Sequence, residues 1–388
     1  MRIGVFIGNI PKEEGGGHTF QDSVLSTIHF QSAPDRQFTI FHFGKIKKKS
    51  AAANISYHEL QPNSLPVKIF SKLKKFRNPS LINTPLEKAC VALDIDIVWF
   101  PSYYYEETSK PFIYTIWDLQ HRLQPMFPEL IEENKIATRD AYLRTILTKA
   151  AYVLTGAERG RSEIVTFYNV HPERIVLLPH PTPLYVYDTK AVYDLPGVNY
   201  DEPFVFFPAQ FWAHKNHITL LLALKLMLEK QGAKKTPKLY LAGSEKNTKN
   251  HITAKIKELG LTDQVKILGF ISNEQLVGMY KKASALVYPT LFGPENLPPL
   301  EAFALDCPVI TSDVPGSEEQ YRDAALVFKR FDHVDLAEKI TLLLSDNALR
   351  ADLLIKGKKI AEEYSLQNYQ HKMEGIFNDF ALYLRCWK

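Results

Sequence analysis

The sequence predicts an α/β protein with two doubly wound parallel-sheet domains. Short apolar runs of strand length alternate with segments of helix length, which is the order of a parallel sheet with helical crossovers. The alternation occurs twice, and a segment at residues 179–201 that is rich in proline, tyrosine and aspartate separates the two series. The chain of 388 residues is also long enough for two domains, each with its own core.

The first series predicts an N-terminal domain at residues 1–185. Its apolar runs have the length of buried strands and lie at residues 3–7, 38–43, 55–60, 96–100, 112–116, 152–155 and 175–178. Helices are predicted between several of these strands, at about residues 20–30, 134–151 and 158–168.

The second series predicts a C-terminal domain at residues 203–365, and residues 186–202 are the predicted linker. The strands of this domain are expected at residues 204–207, 238–242, 265–268, 283–288, 308–311 and 325–327. Its helices are expected at about residues 216–230, 248–259, 273–283, 334–344 and 349–364, with a further helix that begins at Pro299. Residues 366–388 form a C-terminal helix, which we expect to pack back on the N-terminal domain.

Composition and charge exclude several classes of protein. The chain is 45% hydrophobic and 23% charged, and its net charge of +4 gives no reason to expect nucleic-acid binding. No apolar run has the length of a membrane span, and the run that follows Met1 is too short for a signal peptide. Three cysteines without metal-site spacing suit a reducing compartment. We therefore expect a cytoplasmic protein.

The segment at residues 67–77 is basic and amphipathic. Apolar residues recur in it at helical spacing, and lysines fill the other face. A helix of this kind binds an anionic membrane surface, which would make the protein peripheral on the inner face of the cytoplasmic membrane. The same pattern is equally typical of a surface helix whose apolar side packs on its own domain.

Three loops at the carboxyl ends of predicted strands carry candidate ligand-binding groups, because open α/β sheets bind ligands at this edge. Glycines 15–17 follow the first strand, where they suit either a phosphate-binding turn or a flexible surface loop. Asp118 follows the fifth strand, as a site residue or as a cap of the strand end. Glu301 lies in the first turn of the helix at Pro299, where a carboxylate also caps its own helix.

Short sequence motifs occur along the whole chain. The central motif is LPPLEAFA at residues 297–304, followed by PVITS at residues 308–312. The others are GGG at 15–17, DLQH at 118–121, PAQFWAHKNH at 208–217, LAGS at 241–244, GFIS at 269–272 and PGSE at 315–318. Together these motifs resemble glycosyltransferase family 4. The resemblance implies the GT-B fold, with two Rossmann-like domains across a cleft, and retaining transfer from a nucleotide sugar without a metal or other cofactor.

The resemblance implies a role for each matching residue. Glu301 would hold the ribose of the donor, since a carboxylate accepts hydrogen bonds from two vicinal hydroxyls. Lys215 would neutralise the donor diphosphate and so act as a catalytic residue. Asp118 is a further catalytic candidate. Other donor contacts are expected from the backbone at Asn296 and Leu297, from a base site at Phe270 and Ile271, and from the loop at Gly16 and Gly17.

Three positions depart from the family pattern. Gly293 stands where the first glutamate of the family contacts the transferred sugar, and Glu295 is our candidate for its catalytic replacement. Gln210 lies in the expected donor site where an arginine usually partners the lysine, and Trp117 stands where a histidine is frequent. The run FGPENLPPLE at residues 292–301 would then mark a branch of the family.

Two explanations of these departures remain open at this point. The side chains of His214, Asn216 or His217 could supply the lost hydrogen-bond donors, so that the three changes form one altered donor site. Alternatively, the sugar donor differs from the common ones. His121, which ends the DLQH motif, is equally suited to a structural role.

The resemblance therefore implies a hexosyltransferase that uses a GDP- or UDP-linked sugar. The basic segment favours a glycan or lipid-linked acceptor at a membrane surface, and hence cell-surface polysaccharide or lipopolysaccharide assembly. A different interpretation is a non-catalytic nucleotide-sugar-binding or scaffold protein, because fold does not settle function. A third is a membrane-binding module built on the basic segment.

Overall fold

The computed structural model describes residues 1–29, 35–44, 52–61, 84–131, 135–189 and 193–388. The basic segment at residues 67–77 lies outside these ranges, so its membrane role stays a prediction. Within the described ranges the chain forms two parallel sheets with helices packed around them. None of the helices described is long and apolar enough to cross a membrane.

The described N-terminal part contains a sheet of parallel strands. Their bounds are β1 Arg2–Ile7, β2 Gln37–His42, β3 Ile55–Glu59, β4 Ile97–Phe100, β5 Phe112–Thr115, β6 Tyr152–Thr155 and β7 Ile175–Leu177. Their order across the sheet is β3-β2-β1-β4-β5-β6-β7. All four residues of β4 and of β5 are buried, because helices cover both faces of a parallel sheet and its central strands are apolar throughout.

The helices described in this half are α1 Gly16–His29, α2 Pro85–Ala92, α3 Gln120–Leu123, α4 Pro128–Ile131, α5 Lys135–Lys149, α6 Glu158–Tyr168 and α7 Leu184–Asp188. The predicted start of the first helix at Phe20 was wrong, since α1 begins at Gly16. The helix α2 was not predicted, although Thr84 caps it and Pro85 opens it.

The C-terminal half contains the second sheet. Its strands are β8 Phe204–Pro208, β9 Lys238–Ala242, β10 Val265–Gly269, β11 Ala285–Tyr288, β12 Val309–Ser312 and β13 Ala325–Phe328. They lie parallel in the order β10-β9-β8-β11-β12-β13. Phe204, Val205, Phe206 and Phe207 of the central strand β8 are fully buried, so a short apolar run forms the middle of this core.

The helices of this half are α8 His217–Gln231, α9 Lys249–Glu258, α10 Asn273–Lys282, α11 Leu297–Ala304, α12 Glu318–Tyr321, α13 His333–Ser345, α14 Asn347–Glu363 and α15 Leu366–Leu384. The helix α10 begins with a capping box between Ser272 and Gln275. The helix α11 begins at Leu297 rather than at Pro299 as predicted, so both Pro298 and Pro299 lie in its first turn.

The last helix, α15, returns to the N-terminal sheet. Its residues Met373, Ile376 and Phe377 are buried in one core cluster with strands β1, β2 and β4. The ring centroid of Phe377 lies 5.9 Å from that of Phe38 and 6.4 Å from that of Trp99. The C-terminal helix therefore fastens the end of the chain to the opposite domain.

The strand orders determine where ligands can bind. In the C-terminal sheet the chain moves from β8 outward to β10 and then crosses to β11 on the other side of β8. Helices on either side of such a switch point lie on opposite faces, which leaves a crevice at the carboxyl ends of the two strands. The residues after β8 and after β11 border this crevice. The N-terminal sheet has the same feature between β1 and β4.

Candidate functional site

A cleft of about 1420 Å³ lies between the two halves of the molecule. Residues that follow β1, β5 and β7 form its N-terminal wall, and residues that follow β8, β9, β10 and β11 form its C-terminal wall. The cleft brings together all the predicted site residues, namely Gly16, Gly17, Asp118, Gln210, Lys215, Phe270, Ile271, Glu295, Asn296, Leu297 and Glu301.

Two helix N-termini meet in this cleft. Gly15 has a φ of +59°, and this turn lets α1 begin at Gly16 directly after the first strand's loop. A Cβ on Gly16 would lie 4.0 Å from the side chain of Leu297, the first residue of α11. Because helix N-termini carry partial positive charge, their convergence favours an anionic group between the two walls.

The start of α11 offers few backbone donors. Pro298 and Pro299 have no N–H group, and the amide of Asn296 donates to the side chain of Gln320 at 2.9 Å. Leu297 lines the cleft, and its amide is the remaining N–H of this first turn that has no intrahelical acceptor. The dipole of α11 and this single amide would act together on a ligand.

Lys215 lies at the end of a short 3₁₀ turn after β8. Its Nζ donates to the hydroxyl of Tyr288 at 2.9 Å, and Tyr288 is the last residue of β11. Burial lowers the pKa of Lys215 to about 8, although the charges of Asp118 and Glu129 act in the opposite direction. An ammonium that has lost much of its hydration is ready to bind an anion.

Glu301 lies one turn into α11 and is 5% exposed. Its Oε2 accepts a hydrogen bond of 2.6 Å from the hydroxyl of Tyr280 in α10. Tyr185 in α7 also faces this carboxylate, and burial together with the Glu301 charge raises the pKa of Tyr185 well above its ordinary value. Burial raises the pKa of Glu301 too, and the two tyrosine hydroxyls partly offset that shift. The carboxylate is thus held by a hydrogen bond from Tyr280, while the buried hydroxyl of Tyr185 lies near it without a hydrogen bond to any described residue in this conformation.

The predicted base site follows β10. Gly269 has a φ of +73°, which turns the chain at the strand end. Phe270 then projects into the cleft with 56% of its surface exposed, while Ile271 is buried beneath it. An exposed aromatic ring on a fixed turn is a suitable stacking surface for a nucleobase.

Two of the departures from the family pattern have local explanations. Gln210 accepts a hydrogen bond of 2.9 Å from the indole of Trp212. Gly293 has a φ of +109°, and a Cβ at this position would lie 2.9 Å from the side-chain amide of Asn296. A glutamate at position 293 would therefore be strained and would collide with Asn296.

Glu295 reaches across to the N-terminal domain. Its Oε1 accepts a hydrogen bond of 2.9 Å from the backbone amide of His180, and its Oε2 lies 3.8 Å from the His180 ring. A Cβ on Gly156 would coincide with this carboxylate. Burial raises the pKa of Glu295, with partial compensation from His180. The side chain lines the cleft, and in this conformation its carboxylate contacts the facing domain.

Asp118 is paired within the N-terminal domain. Arg139 of α5 contacts its carboxylate at 3.1 Å, and the amide of Gln120 donates to it at 2.9 Å. Burial acts to raise the pKa of Asp118, but these partners hold it below its ordinary value. Trp117 packs edge-on to Phe20 with ring centroids 5.4 Å apart, so it fills the wall beside Asp118.

His214, Asn216 and His217 are the candidates for replacing the lost hydrogen-bond donors. Two of them have other hydrogen-bond partners, and the third has none among the described residues. His214 Nδ1 lies 2.6 Å from the carboxylate of Glu129 in the N-terminal domain. Asn216 caps α8 and donates to the carbonyl of Pro289 at 3.1 Å. The ring of His217 is buried against Phe211, and neither of its nitrogens has a hydrogen-bond partner in the described structure. Asn216 and the Nδ1 atom of His214 are thus engaged in structural contacts, and a donor role for the three side chains stays a prediction.

His121 is also structural. It is 1% exposed, its Nε2 lies 2.9 Å from the hydroxyl of Tyr168, and burial lowers its pKa to about 4. Among the residues that the structure describes, no group of three or more His, Cys, Asp or Glu side chains could hold a metal ion.

Several residues that contact the predicted site residues were not found from the sequence. Tyr288 and Tyr280 contact Lys215 and Glu301, Arg139 contacts Asp118 of the N-terminal wall, and Glu129 of the N-terminal domain contacts His214 of the C-terminal wall. Tyr288 carried a signal, because it ends a buried strand at the ligand-binding edge. The other three lie on helices, and only the tertiary structure brings them into contact with residues that line the cleft.

Comparison with known proteins connects this cleft to carbohydrate chemistry. Residues 196–360 match the family model described as glycosyl transferases group 1. An uncharacterised glycosyltransferase of Methanocaldococcus jannaschii is 23% identical over 63% of this chain and 64% of its own length. An O-antigen chain mannosyltransferase B of Escherichia coli is 26% identical over 62% of this chain and 64% of its own. Both alignments thus span less than two thirds of the relatives' length.

The similarity of this protein to solved structures extends over nearly the whole chain. Sucrose-phosphate synthase from Thermosynechococcus elongatus superposes on 98% of this chain and 99% of its own with a TM-score of 0.72, at 18% sequence identity. With two parallel-sheet domains that face a common cleft, the chain has the GT-B fold, and the fold predicted from the sequence is confirmed.

Proposed function

We propose that this protein is a glycosyltransferase that moves a sugar from a GDP- or UDP-linked donor to a glycan or lipid-linked acceptor. One observation carries the proposal. The ammonium of Lys215 lies at the switch point of the C-terminal sheet, beside the start of α11, and the carboxylate of Glu301 lies one turn farther along the same helix. A diphosphate followed by a ribose presents complementary groups in the same order.

The chemistry that we propose is transfer with retention of the anomeric configuration. The bond from the anomeric carbon to the leaving phosphate oxygen breaks, and a bond to the acceptor oxygen forms on the same face of the sugar. The acceptor's proton passes to the departing phosphate. Lys215 and the two helix N-termini would stabilise the charge that develops on the diphosphate, so the reaction would need no metal.

The class of acceptor is suggested by the relatives. One of them is an O-antigen chain mannosyltransferase, which supports a role in cell-surface polysaccharide or lipopolysaccharide assembly. Such acceptors are commonly carried on lipids, and the basic segment at residues 67–77 would then bring the enzyme to the inner face of the membrane.

The first test is a thermal-shift screen with UDP, GDP and their sugar conjugates, because a ligand that binds only the folded protein raises its melting temperature. Donors that stabilise the protein are then offered with membrane-derived glycan acceptors, and release of the nucleoside diphosphate is measured with and without EDTA. We expect turnover that EDTA does not reduce and a product with the anomeric configuration of the donor. Tight donor binding without turnover across a broad panel would instead favour a scaffold protein.

A further inference from the structure

The ammonium of Lys215 has an unusual partner. The family pattern has an arginine near this lysine, but the residue here is Gln210, which bonds to Trp212. The ammonium instead donates to the hydroxyl of Tyr288 at 2.9 Å. Tyr288 is 2% exposed and lines the floor of the cleft, so its hydroxyl has little freedom to move.

The contact continues as a chain of hydrogen bonds. A tyrosine hydroxyl has one proton, and because Lys215 can only donate, the hydroxyl of Tyr288 donates onward. Its acceptor is Oδ1 of Asn296, at 2.9 Å. The Nδ2 of Asn296 then donates to the carbonyl of Gly293 at 2.7 Å, which fixes the orientation of the amide. The chain therefore runs from Lys215 to the backbone of the loop after β11.

The shape of this loop depends on the same asparagine. Gly293 has a φ of +109°, and its carbonyl accepts the hydrogen bond from Asn296. Any Cβ at position 293 would press on the Asn296 amide from 2.9 Å. Glycine at 293 and asparagine at 296 thus form one unit, in the place where the family pattern has a glutamate.

We propose that Tyr288 and Asn296 are positioning residues, which hold the ammonium of Lys215 for the diphosphate of a nucleoside diphosphate ligand. The inference rests on the proposed function. A neutral hydroxyl holds the ammonium in place and leaves its charge available to a ligand. A carboxylate at the same position would cancel that charge. Burial raises the pKa of Tyr288 well above its ordinary value, so the hydroxyl keeps its proton at neutral pH.

The test compares binding of diphosphates and monophosphates by calorimetry, with UDP, GDP, UMP and GMP as probes. Tyr288→Phe removes the hydroxyl and keeps the ring. We expect the preference for the diphosphate over the monophosphate to fall roughly tenfold, since a hydrogen bond to a charged group is lost, while monophosphate affinity stays within about twofold.

A matched control removes a buried tyrosine hydroxyl that supports a different residue of the cleft. Tyr280→Phe takes a donor from the carboxylate of Glu301, so it should weaken monophosphate and diphosphate binding alike. Asn296→Leu is a second variant, because it removes the next residue in the chain of hydrogen bonds. It should show the same selective loss, and it serves as the test if Tyr288→Phe folds poorly.

The outcomes separate the two proposals. A wild-type protein that binds none of the four nucleotides overturns the proposed function together with this inference. Normal wild-type binding with unchanged selectivity in Tyr288→Phe and Asn296→Leu overturns this inference alone. Equal losses for monophosphate and diphosphate in both variants also overturn it, because they would show a merely structural role.

Discussion

The two walls of the cleft differ in how they hold their charged groups. On the C-terminal wall, Lys215 and Glu301 each rest on a tyrosine hydroxyl from their own domain. On the N-terminal wall, Asp118 is already paired with Arg139, and the surfaces beside it are the glycine start of α1 and the ring of Trp117. The C-terminal wall thus presents buried charges on neutral supports, whereas on the N-terminal wall the carboxylate of Asp118 is paired and the other charged groups, such as Lys12, are exposed.

This difference teaches which wall should dominate nucleotide binding. An ammonium or carboxylate that is hydrogen-bonded to a neutral hydroxyl keeps its charge for a ligand. The charge of a group in an ion pair is already neutralised by its partner. The N-terminal wall suits the weaker contacts of an acceptor, because aromatic rings and amides bind sugars without strong charge. The comparison predicts large effects on donor binding from the C-terminal wall and small ones from the N-terminal wall.

The largest effect is expected from Lys215→Ala. The ammonium would stabilise the leaving diphosphate, and loss of one such group lowers the rate by about 10²–10³-fold. The measurement is the rate of nucleoside diphosphate release at saturating acceptor. The control is Lys12→Ala, which removes an exposed lysine from the opposite wall and should change the rate little. Equal losses in the two variants would contradict the difference between the walls.

Glu301→Ala should have the next largest effect. It removes the carboxylate that we propose as the acceptor for two ribose hydroxyls, and we expect nucleoside diphosphate affinity to fall about 10²-fold. The matched variant Asp118→Ala removes a carboxylate from the N-terminal wall and should leave this affinity nearly unchanged. Calorimetry with UDP and GDP measures both. If Asp118→Ala weakens nucleotide binding as strongly, the assignment of the donor to one wall is wrong.

Much of the fold could be predicted because the signals are local. The apolar runs of the central strands β8 and β9 are buried on both faces, so their boundaries followed from hydrophobicity alone. The short helices α3, α4 and α12 were missed, since four residues carry no period that could be recognised. The early start of α1 was missed because glycine disfavours helix, so Gly16 and Gly17 were assigned to a loop. In the structure both residues are helical.

The site could be predicted only in part. The location of Lys215 and Glu301 at the cleft follows from their positions after strands of an α/β sheet, but their proposed roles came from the resemblance to glycosyltransferase family 4. The partners of Glu301 and Asp118 were not found, because Tyr280 and Arg139 contact these carboxylates through packing of helices that the sequence does not orient. Nor could the sequence show that the carboxylate of Glu295 contacts the facing domain.

Gly293→Glu should damage the protein even though it restores the residue of the family pattern. The φ of +109° is strained for any side chain, and the new Cβ would press on Asn296. We expect a loss of about 1–3 kcal/mol in the free energy of unfolding, with weaker diphosphate binding. Urea unfolding and calorimetry measure the two effects.

The control for this variant separates strain from contact. Gly260 also has a positive φ, +67°, but a Cβ there would meet nothing within 4 Å. Gly260→Ala should therefore lose stability through strain alone and keep its nucleotide affinity, whereas Gly293→Ala should lose both. An active, stable Gly293→Glu protein would show that the loop is less constrained than its contacts indicate.

A smaller effect is expected from pH, which changes the charge of Lys215 on the C-terminal wall and with it the affinity for a diphosphate. The pKa of Lys215 is lowered to about 8, so its ammonium is present below that pH and is lost above it. Diphosphate affinity should be level below pH 8 and fall up to about tenfold per unit above it. The pKa of His217 is lowered to about 3 and that of His214 is also lowered, so neither changes charge in this range. In Lys215→Arg the fall in diphosphate affinity above pH 8 should disappear, because a guanidinium stays charged.

Glu295→Ala is expected to have the smallest effect, and it tests the contact between the walls. The carboxylate of Glu295 accepts from the His180 amide, and Glu319 accepts from the amides of Glu158 and Arg159 in the same facing domain. Loss of one of these bonds should weaken domain closure by about 1 kcal/mol. Small-angle scattering of the nucleotide-bound protein should then give a larger radius of gyration.

The same variant decides what replaced the missing glutamate at position 293. If Glu295 acts in domain closure, its loss lowers the rate with every donor by a similar factor and leaves the preference among donor sugars unchanged. Glu319→Ala, which removes a carboxylate with the same kind of contact but outside the cleft lining, should then behave alike. A change of sugar preference in Glu295→Ala alone would instead support a direct contact with the transferred sugar, because that contact reads the sugar's hydroxyls and closure does not.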